Sequence, residues 1–295
     1  MAKEVSVEID PHAGFCSGVK RAIRTAEDAL GEGPVCSLGA IVHNEEEVSR
    51  LEKKGILSTD RPGLQVLRDT RVLIRTHGEP PGTYRELEEM GLEVIDATCP
   101  VVARLQGTIR MAVQKAASQQ VQVLIYGKKK HAEVIGLVGH SGGKARVIES
   151  KDDLSGVDFT RPAEIFSQTT MNPAGLLDIR QAMEESYRAK GIDPQSMLKV
   201  HDTICRQVAR REESVKLFAS RFDLLLFVSG KNSSNGAMLF NYAKESNQHA
   251  CFISNPGEIK KEWIENATSV GISGATSTPP WLLEEVKRKI EQMVR

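Results

Sequence analysis

The sequence predicts an α/β protein built on several small, mostly parallel sheets. Strand-like and helix-like segments alternate along the whole chain, the pattern of crossover connections between parallel strands. About ten strand segments are too many for one tidy sheet at this length. A cysteine also recurs at a strand end, just before a helix, in each third of the chain: Cys16, Cys99 and Cys205, spaced 83 and 106 residues apart.

The elements follow in order. VSVEI (5–9) alternates apolar and polar residues as a half-buried strand does, and Val19, Ile23, Ala26 and Leu30 mark one apolar helix face after it. PVCSL (34–38) leads to a charged helix from Asn44. RVLIRT (71–76) precedes TYRELEEM (83–90), and LEVIDAT (92–98) precedes a helix over 101–118. VQVLIY (121–126) is a strand, and AEIFS (163–167) runs into a helix over 173–190. MLKVHDTI (197–204), DLLLFVS (223–229), HACFIS (249–254) and ATSVGIS (267–273) complete the strands, with a helix from Val208 between the first two. The closing helix starts at Pro279, with proline early and acidic residues expected in its first turn.

Composition narrows the function. With 39 basic and 39 acidic residues the formal net charge is zero, which argues against a nucleic-acid binder relying on bulk charge. No apolar run reaches the ~20 residues that span a bilayer, so no membrane partner is expected. The N-terminal MAKEVSVEID lacks the apolar core of a signal peptide, so a cytoplasmic location is expected. In that compartment five scattered cysteines are poor disulfide candidates. Cys36 and Cys251 fall inside strands and read as small buried hydrophobes.

The three strand-end cysteines share a context. IDATCP and HDTIC each place an aspartate three residues before the cysteine, Asp96 before Cys99 and Asp202 before Cys205; HAGFC places Cys16 at an equivalent strand end, with Gly14 and Gly18 flanking the turn. In open parallel sheets ligands bind beyond the carboxyl ends of the strands. The chain places there His43-Asn44, His77-Gly78, His131 with Glu133, Gln168-Thr169-Thr170, Lys231 to Asn235, and GATSTP with Ser277. Hydroxyls, amides, imidazoles and helix N-termini suit a polyanion such as phosphate. No GxxxxGK[ST] or GxGxxG occurs, so a nucleotide is not indicated. Glu133 is the one obvious carboxyl proton carrier in this set. Three converging thiols could hold a metal cluster with one position open. Two other readings stay open on the residues alone: a cysteine-nucleophile transferase or hydrolase, using Cys16 with a histidine on a phosphorylated metabolite, and a phosphometabolite-binding protein without catalysis.

GFCSGVKRAI, the His-Asn and His-Gly turns, DATCP, HAEV, SQTT, TIC, SGKNSSN and STP, in that order, resemble the motifs of the LytB/IspH family of 4-hydroxy-3-methylbut-2-enyl diphosphate reductases. The likeness runs from Cys16 to the final helix. It implies that Cys16, Cys99 and Cys205 ligate a 4Fe-4S iron–sulfur cluster whose fourth iron faces substrate. It implies that His43, His77, Ser233, Asn235 and Ser277 hold the diphosphate, with Ser234 adjoining. His131 and Thr169 would line the allylic end and Glu133 would deliver protons. The implied fold is three small α/β units arranged pseudo-threefold around the cluster. On this sequence they would be 17–99, 100–200 and 201–295, with the strand in 1–16 packing on the third. The implied reaction removes the allylic hydroxyl with two electrons and two protons, giving isopentenyl and dimethylallyl diphosphates, the last step of the methylerythritol phosphate route. Its implied partners are the allylic diphosphate and a ferredoxin or flavodoxin donor. Two segments depart from the family pattern: RQVARRE (206–212), where a small polar run commonly follows TIC, and the run Lys128, Lys129, Lys130. Neither contains a residue matched to the site. His12, His140, His201 and His249 match no motif, and Trp263 and Trp281 are expected to be packing residues.

Overall fold

The computed structural model describes residues 5–67 and 69–294; residues 1–4, 68 and 295, which fall in the expected 1–16, 17–99 and 201–295 segments, lie outside them. The chain divides into two compact units: one combines the chain up to Asp60 with the chain from Arg206 onward, and the other is Arg61–Cys205. The first unit opens with β1 (Ser6–Ile9), α1 (Ser17–Leu30), β2 (Val35–Leu38), α2 (Glu45–Lys53) and β3 (Ile56–Thr59). The second unit contains α3 (Arg61–Leu64), β4 (Arg71–Ile74), α4 (Pro81–Glu89), β5 (Val94–Asp96), α5 (Pro100–Gln119) and β6 (Gln122–Tyr126). It continues with α6 (Ala132–His140), β7 (Arg146–Ile148), β8 (Ala163–Ser167), α7 (Pro173–Ala189), α8 (Pro194–Met197) and β9 (Leu198–Val200). The first unit resumes with α9 (Arg206–Ala209), α10 (Arg211–Ala219), β10 (Leu224–Val228) and α11 (Ser234–Ser246). It ends with β11 (Ala250–Ile253), α12 (Lys261–Glu265), β12 (Ser269–Gly274) and α13 (Pro280–Met293).

The strands form three four-stranded sheets, and the described pairings are parallel. This is the α/β class with several small sheets that the alternation predicts. In the first unit the order is β1-β12-β10-β11, with Ile9 opposite Ile272, and β2 pairs with β3. In the second it is β7-β6-β8-β9, with Tyr126 opposite Ser167, and β4 pairs with β5. The central strands read as unbroken apolar runs because helices cover both of their faces. In β10, Leu224, Leu226 and Val228 enter one core with Leu282, Val286 and Ile290 of α13, while Leu225 and Phe227 enter another with Phe218 and Leu239. In β6, Leu124 and Tyr126 meet Ile179 and Met183 of α7, and Val123 and Ile125 meet Leu105 and Ile109 of α5. Each large side chain buried in this way contributes roughly 1.5–3 kcal/mol.

Several expectations are corrected. The buried face of α1 is Gly18, Ala22, Ile23, Ala26 and Ala29, so the stripe is rotated and Val19 and Leu30 sit half-buried at its margins. The acidic residues of α13 lie in its second turn, because two prolines and Trp281 occupy the start. MLKVHDTI is a strand only over Leu198–Val200. The strands β3 and β7 and the helices α3, α6, α8 and α11 have no counterpart in the sequence reading. No helix among the described residues is long and apolar enough to cross a membrane.

Candidate functional site

All of the candidate residues lie at carboxyl ends of parallel strands or at the helix starts that follow them. In the first unit, Cys16 is the N-cap of α1: its Sγ accepts from the Val19 amide at 3.5 Å, and its own amide donates to the Thr276 carbonyl at 3.1 Å. Gly14, at φ 101°, makes the turn that an L side chain would strain. Ser233 caps α11 through the Gly236 amide at 3.0 Å, and its Oγ lies 3.3 Å from Ser277 Oγ. Ser277 Oγ in turn donates to the His43 carbonyl at 3.4 Å. Asn235 Nδ2 donates to Thr276 Oγ1 at 2.8 Å, while its buried Oδ1 has no partner among the described residues. Thr276 is thus a hub that holds both Cys16 and Asn235. Ser234, the first residue of α11, is half-buried.

His43 is held from behind. Asn44 caps α2 through the Glu47 amide at 3.0 Å, and the fully buried Glu47 carboxylate accepts from Arg50 at 2.6 and 2.9 Å and from Trp281 Nε1 at 2.7 Å. Trp281 is therefore a hydrogen-bonding tie between α13 and α2 rather than a simple packing residue. Gly230 permits the approach: a Cβ there would collide with the His43 carbonyl.

In the second unit, Glu133 sits in the first turn of α6 with 1% exposure. Its Oε1 accepts from the Thr169 amide at 2.7 Å and its Oε2 from Thr169 Oγ1 at 2.8 Å. Burial raises its pKa to about 7, against the opposing pull of the two Thr169 donors. His131 caps α6, its Nδ1 accepting from the Glu133 amide at 3.2 Å, which leaves Nε2 as the protonated nitrogen of a neutral ring. The His77 and His131 rings meet edge to face at 5.2 Å. Cys205 donates its amide to the Thr169 carbonyl at 2.8 Å, and Cys99 donates to Thr76 at 3.0 Å. Gln168, fully buried, accepts from the Lys128 amide at 3.0 Å and ties that turn to the end of β8. His140 and His201 have structural partners, the Glu79 carbonyl at 3.2 Å and the Glu164 carboxylate at 2.7 Å.

The aspartate–cysteine repeat has a local physical cause. Asp96 Oδ1 accepts from the Thr98 amide at 2.8 Å and Asp202 Oδ1 from the Ile204 amide at 3.3 Å. Asp10 Oδ1 accepts from the His12 amide at 2.8 Å. Each is an Asx turn that ends a strand and aims the chain at the cysteine beyond it. Cys16, Cys99 and Cys205 are half-buried thiols. Cys36 and Cys251 instead lie within β2 and β11, where burial pushes their thiols up. Three thiols at helix starts fit the donor set of an iron–sulfur cluster.

Residues outside the sequence motifs also reach the Cys16 loop. Gln207 and Arg211, in the 206–212 segment, contact Ser17 and Asp10. Neither is read from the sequence, because a contact across 190 or 201 positions leaves no local periodicity.

The LytB protein family model matches residues 7–291. A 4-hydroxy-3-methylbut-2-enyl diphosphate reductase of Bacteroides thetaiotaomicron is 45% identical over 292 residues, covering 99% of each chain. The protein of that name from Chlorobium luteolum is 40% identical over 324 residues, covering 99% of this chain and all of its own. A solved structure of (E)-4-hydroxy-3-methyl-but-2-enyl diphosphate reductase, described as the terminal enzyme of the non-mevalonate pathway, superposes with a TM-score of 0.71 at 36% identity, over 98% of this chain and 99% of that one. The Plasmodium falciparum reductase structure superposes at 0.82 and 23% identity, over 98% and 88%, which shows a shared fold.

Proposed function

The chain belongs to the LytB family, and from that membership we propose that it is a 4-hydroxy-3-methylbut-2-enyl diphosphate reductase, which replaces the allylic hydroxyl of its substrate by hydrogen. The overall change consumes two electrons and two protons, releases water, and leaves isopentenyl or dimethylallyl diphosphate. The observation that carries the proposal is Glu133: a carboxyl buried at a strand end, with a pKa of about 7 and both oxygens on Thr169. A general acid works best with its pKa near the working pH.

Cys16, Cys99 and Cys205 are the proposed ligands of a 4Fe-4S cluster. Bound there, the cluster would supply the electrons, one at a time from the external donor, and Lewis acidity. His43, His77, Ser233, Ser234, Asn235 and Ser277 hold the diphosphate through neutral donors and helix starts. With its amide flipped, Asn235 would turn Nδ2 to a diphosphate oxygen and let Oδ1 accept from Thr276 Oγ1 instead. Glu133 holds the proton on a carboxyl oxygen, and Thr169 Oγ1, 2.8 Å away, passes it toward the departing hydroxyl; His131 Nε2–H steadies the same end. A direct test is to purify the protein without oxygen: it should be brown and turn over the allylic diphosphate. Colourless protein with full turnover would discard the cluster and restore the thiol-nucleophile reading.

Electrons would come from a small acidic protein such as ferredoxin or flavodoxin, and the lysine run is the proposed docking point. Lys129 pairs with Asp153 at 2.6 Å and Glu149 at 4.0 Å, and Lys128 and Lys130 are exposed beside it. Changing both to glutamate should slow reduction by the protein donor several-fold at low salt and leave dithionite-driven turnover unchanged. Equal slowing with both reductants would exclude docking here.

A further inference from the structure

The segment 206–212 holds the Cys16 loop at both ends. At the loop's start Asp10 is 2% exposed and Arg211 is 6% exposed. Arg211 Nη2 reaches Asp10 Oδ2 at 3.1 Å, Ser273 Oγ at 3.3 Å and the Gly274 carbonyl at 3.1 Å. Ser273 Oγ also donates to Asp10 Oδ2 at 2.7 Å, and Arg211 Nη1 reaches Ser214 Oγ at 3.2 Å. One guanidinium therefore pegs together the carboxyl ends of β1 and β12. At the loop's end Gln207 grips Ser17 in both directions: its Oε1 accepts from the Ser17 amide at 3.3 Å and its Nε2 donates to Ser17 Oγ at 2.9 Å. Between these two ties the described backbone anchors of the loop's interior are the His12 amide on Asp10 Oδ1, the Ala13 amide on the Asp10 carbonyl at 2.9 Å and the Cys16 amide on Thr276.

We propose that Gln207 and Arg211 are positioning residues that clamp the loop from Asp10 to Ser17 and so fix where the Cys16 sulfur points. The proposal rests on the reading of Cys16 as a cluster ligand, since that gives the fixed thiol its use. A fixed sulfur matters because a ligand that must be ordered at the moment of binding loses part of its affinity to that ordering. Lysine in place of Arg211 keeps the charge but not the fork that spans four acceptors. Alanine in place of Gln207, an exposed residue, leaves every core untouched.

Two measurements on the full chain test the clamp. Hydrogen exchange at the His12 and Cys16 amides should accelerate roughly tenfold in Gln207→Ala and in Arg211→Lys, the loss expected for one or two good hydrogen bonds. Their own acceptors, Asp10 and Thr276, remain in place in both variants. Iron release from the anaerobic holoprotein to a chelator should accelerate by a similar factor, with exchange in β6 and β8 unchanged. Wild-type exchange at His12 and Cys16 in Gln207→Ala would overturn the clamp, as would acceleration spread evenly over the molecule in both variants. If the wild-type protein binds no iron while the local exchange effect appears, the cluster reading fails and the clamp stands.

Discussion

Serine in place of Cys16, Cys99 or Cys205 is expected to strip the protein of most of its iron and reduce turnover by at least ~100-fold, more than changes beside a metal ligand usually cost. A serine hydroxyl is a hard donor that stays protonated where a thiolate forms, so it is a poor substitute on iron. The two remaining cysteines supply the control. Cys36 is fully buried in β2, so Cys36→Ser places a hydroxyl among apolar neighbours and should lower stability by ~1–3 kcal/mol without changing iron per folded molecule. Cys251 is half-buried and Cys251→Ser should do less. Iron content by colorimetry, with the visible spectrum of the anaerobic protein, checks the whole set. An iron requirement for Cys36 or Cys251 but not for the three strand-end thiols would refute the ligand assignment.

Glutamine in place of Glu133 should leave iron and substrate binding intact and lower turnover by ~10²–10⁴, the usual contribution of a positioned general acid. Glutamine can still accept from the Thr169 amide, but it cannot give up a proton as a carboxyl does. The pH dependence sharpens the test. The donor is the protonated form, so wild-type turnover should fall as pH rises through about 7, and that limb should vanish in the variant. Stability follows the same group. Its folded pKa is raised, so the folded state is penalised once the carboxyl ionises. The wild type therefore loses stability between its ordinary carboxylate range and pH ~8, by an order of magnitude of 2–4 kcal/mol. The melting temperature of Glu133→Gln should gain on the wild type across that window. Near-normal turnover with a full cluster would remove Glu133 from the mechanism and move attention to Thr169 and His131.

The strands legible in the sequence are the interior ones. DLLLFVS and VQVLIY announce themselves because both faces of β10 and β6 are covered. The missed strands are sheet edges: β3 (ILST) and β7 (RVI) are four and three residues long with exposed positions, and pairing alone makes them strands. Helix α6 was hidden by its composition. AEVIGLVGH carries two glycines and three branched residues, yet Gly139 is required where α6 crosses α4, since a Cβ there would sit 2.9 Å from Pro80 Cα. The candidate site was more legible than the fold because its residues stand in short runs after strands. What no run encodes is the support behind them: Glu47 with Trp281 behind His43, and Arg211 with Gln207 at the Cys16 loop.

The pairing of β1 with β12 also sets an order of events during synthesis. Ser6–Ile9 leaves the ribosome first, but its partner Ser269–Gly274 is among the last segments made, with 263 positions between Asp10 and Ser273. At ~5–20 residues per second that is a wait of roughly 15–50 s. In that interval the nascent chain can complete Arg61–Cys205, whose strand pairs β4–β5 and β7-β6-β8-β9 are all internal to it. The opening strand meanwhile has no neighbour on its β12 side, and Cys16 has no Thr276 carbonyl to fix its amide. The first thiol to be translated is thus the last to be seated, and a cofactor delivered before termination would meet Cys99 and Cys205 already anchored and Cys16 still loose.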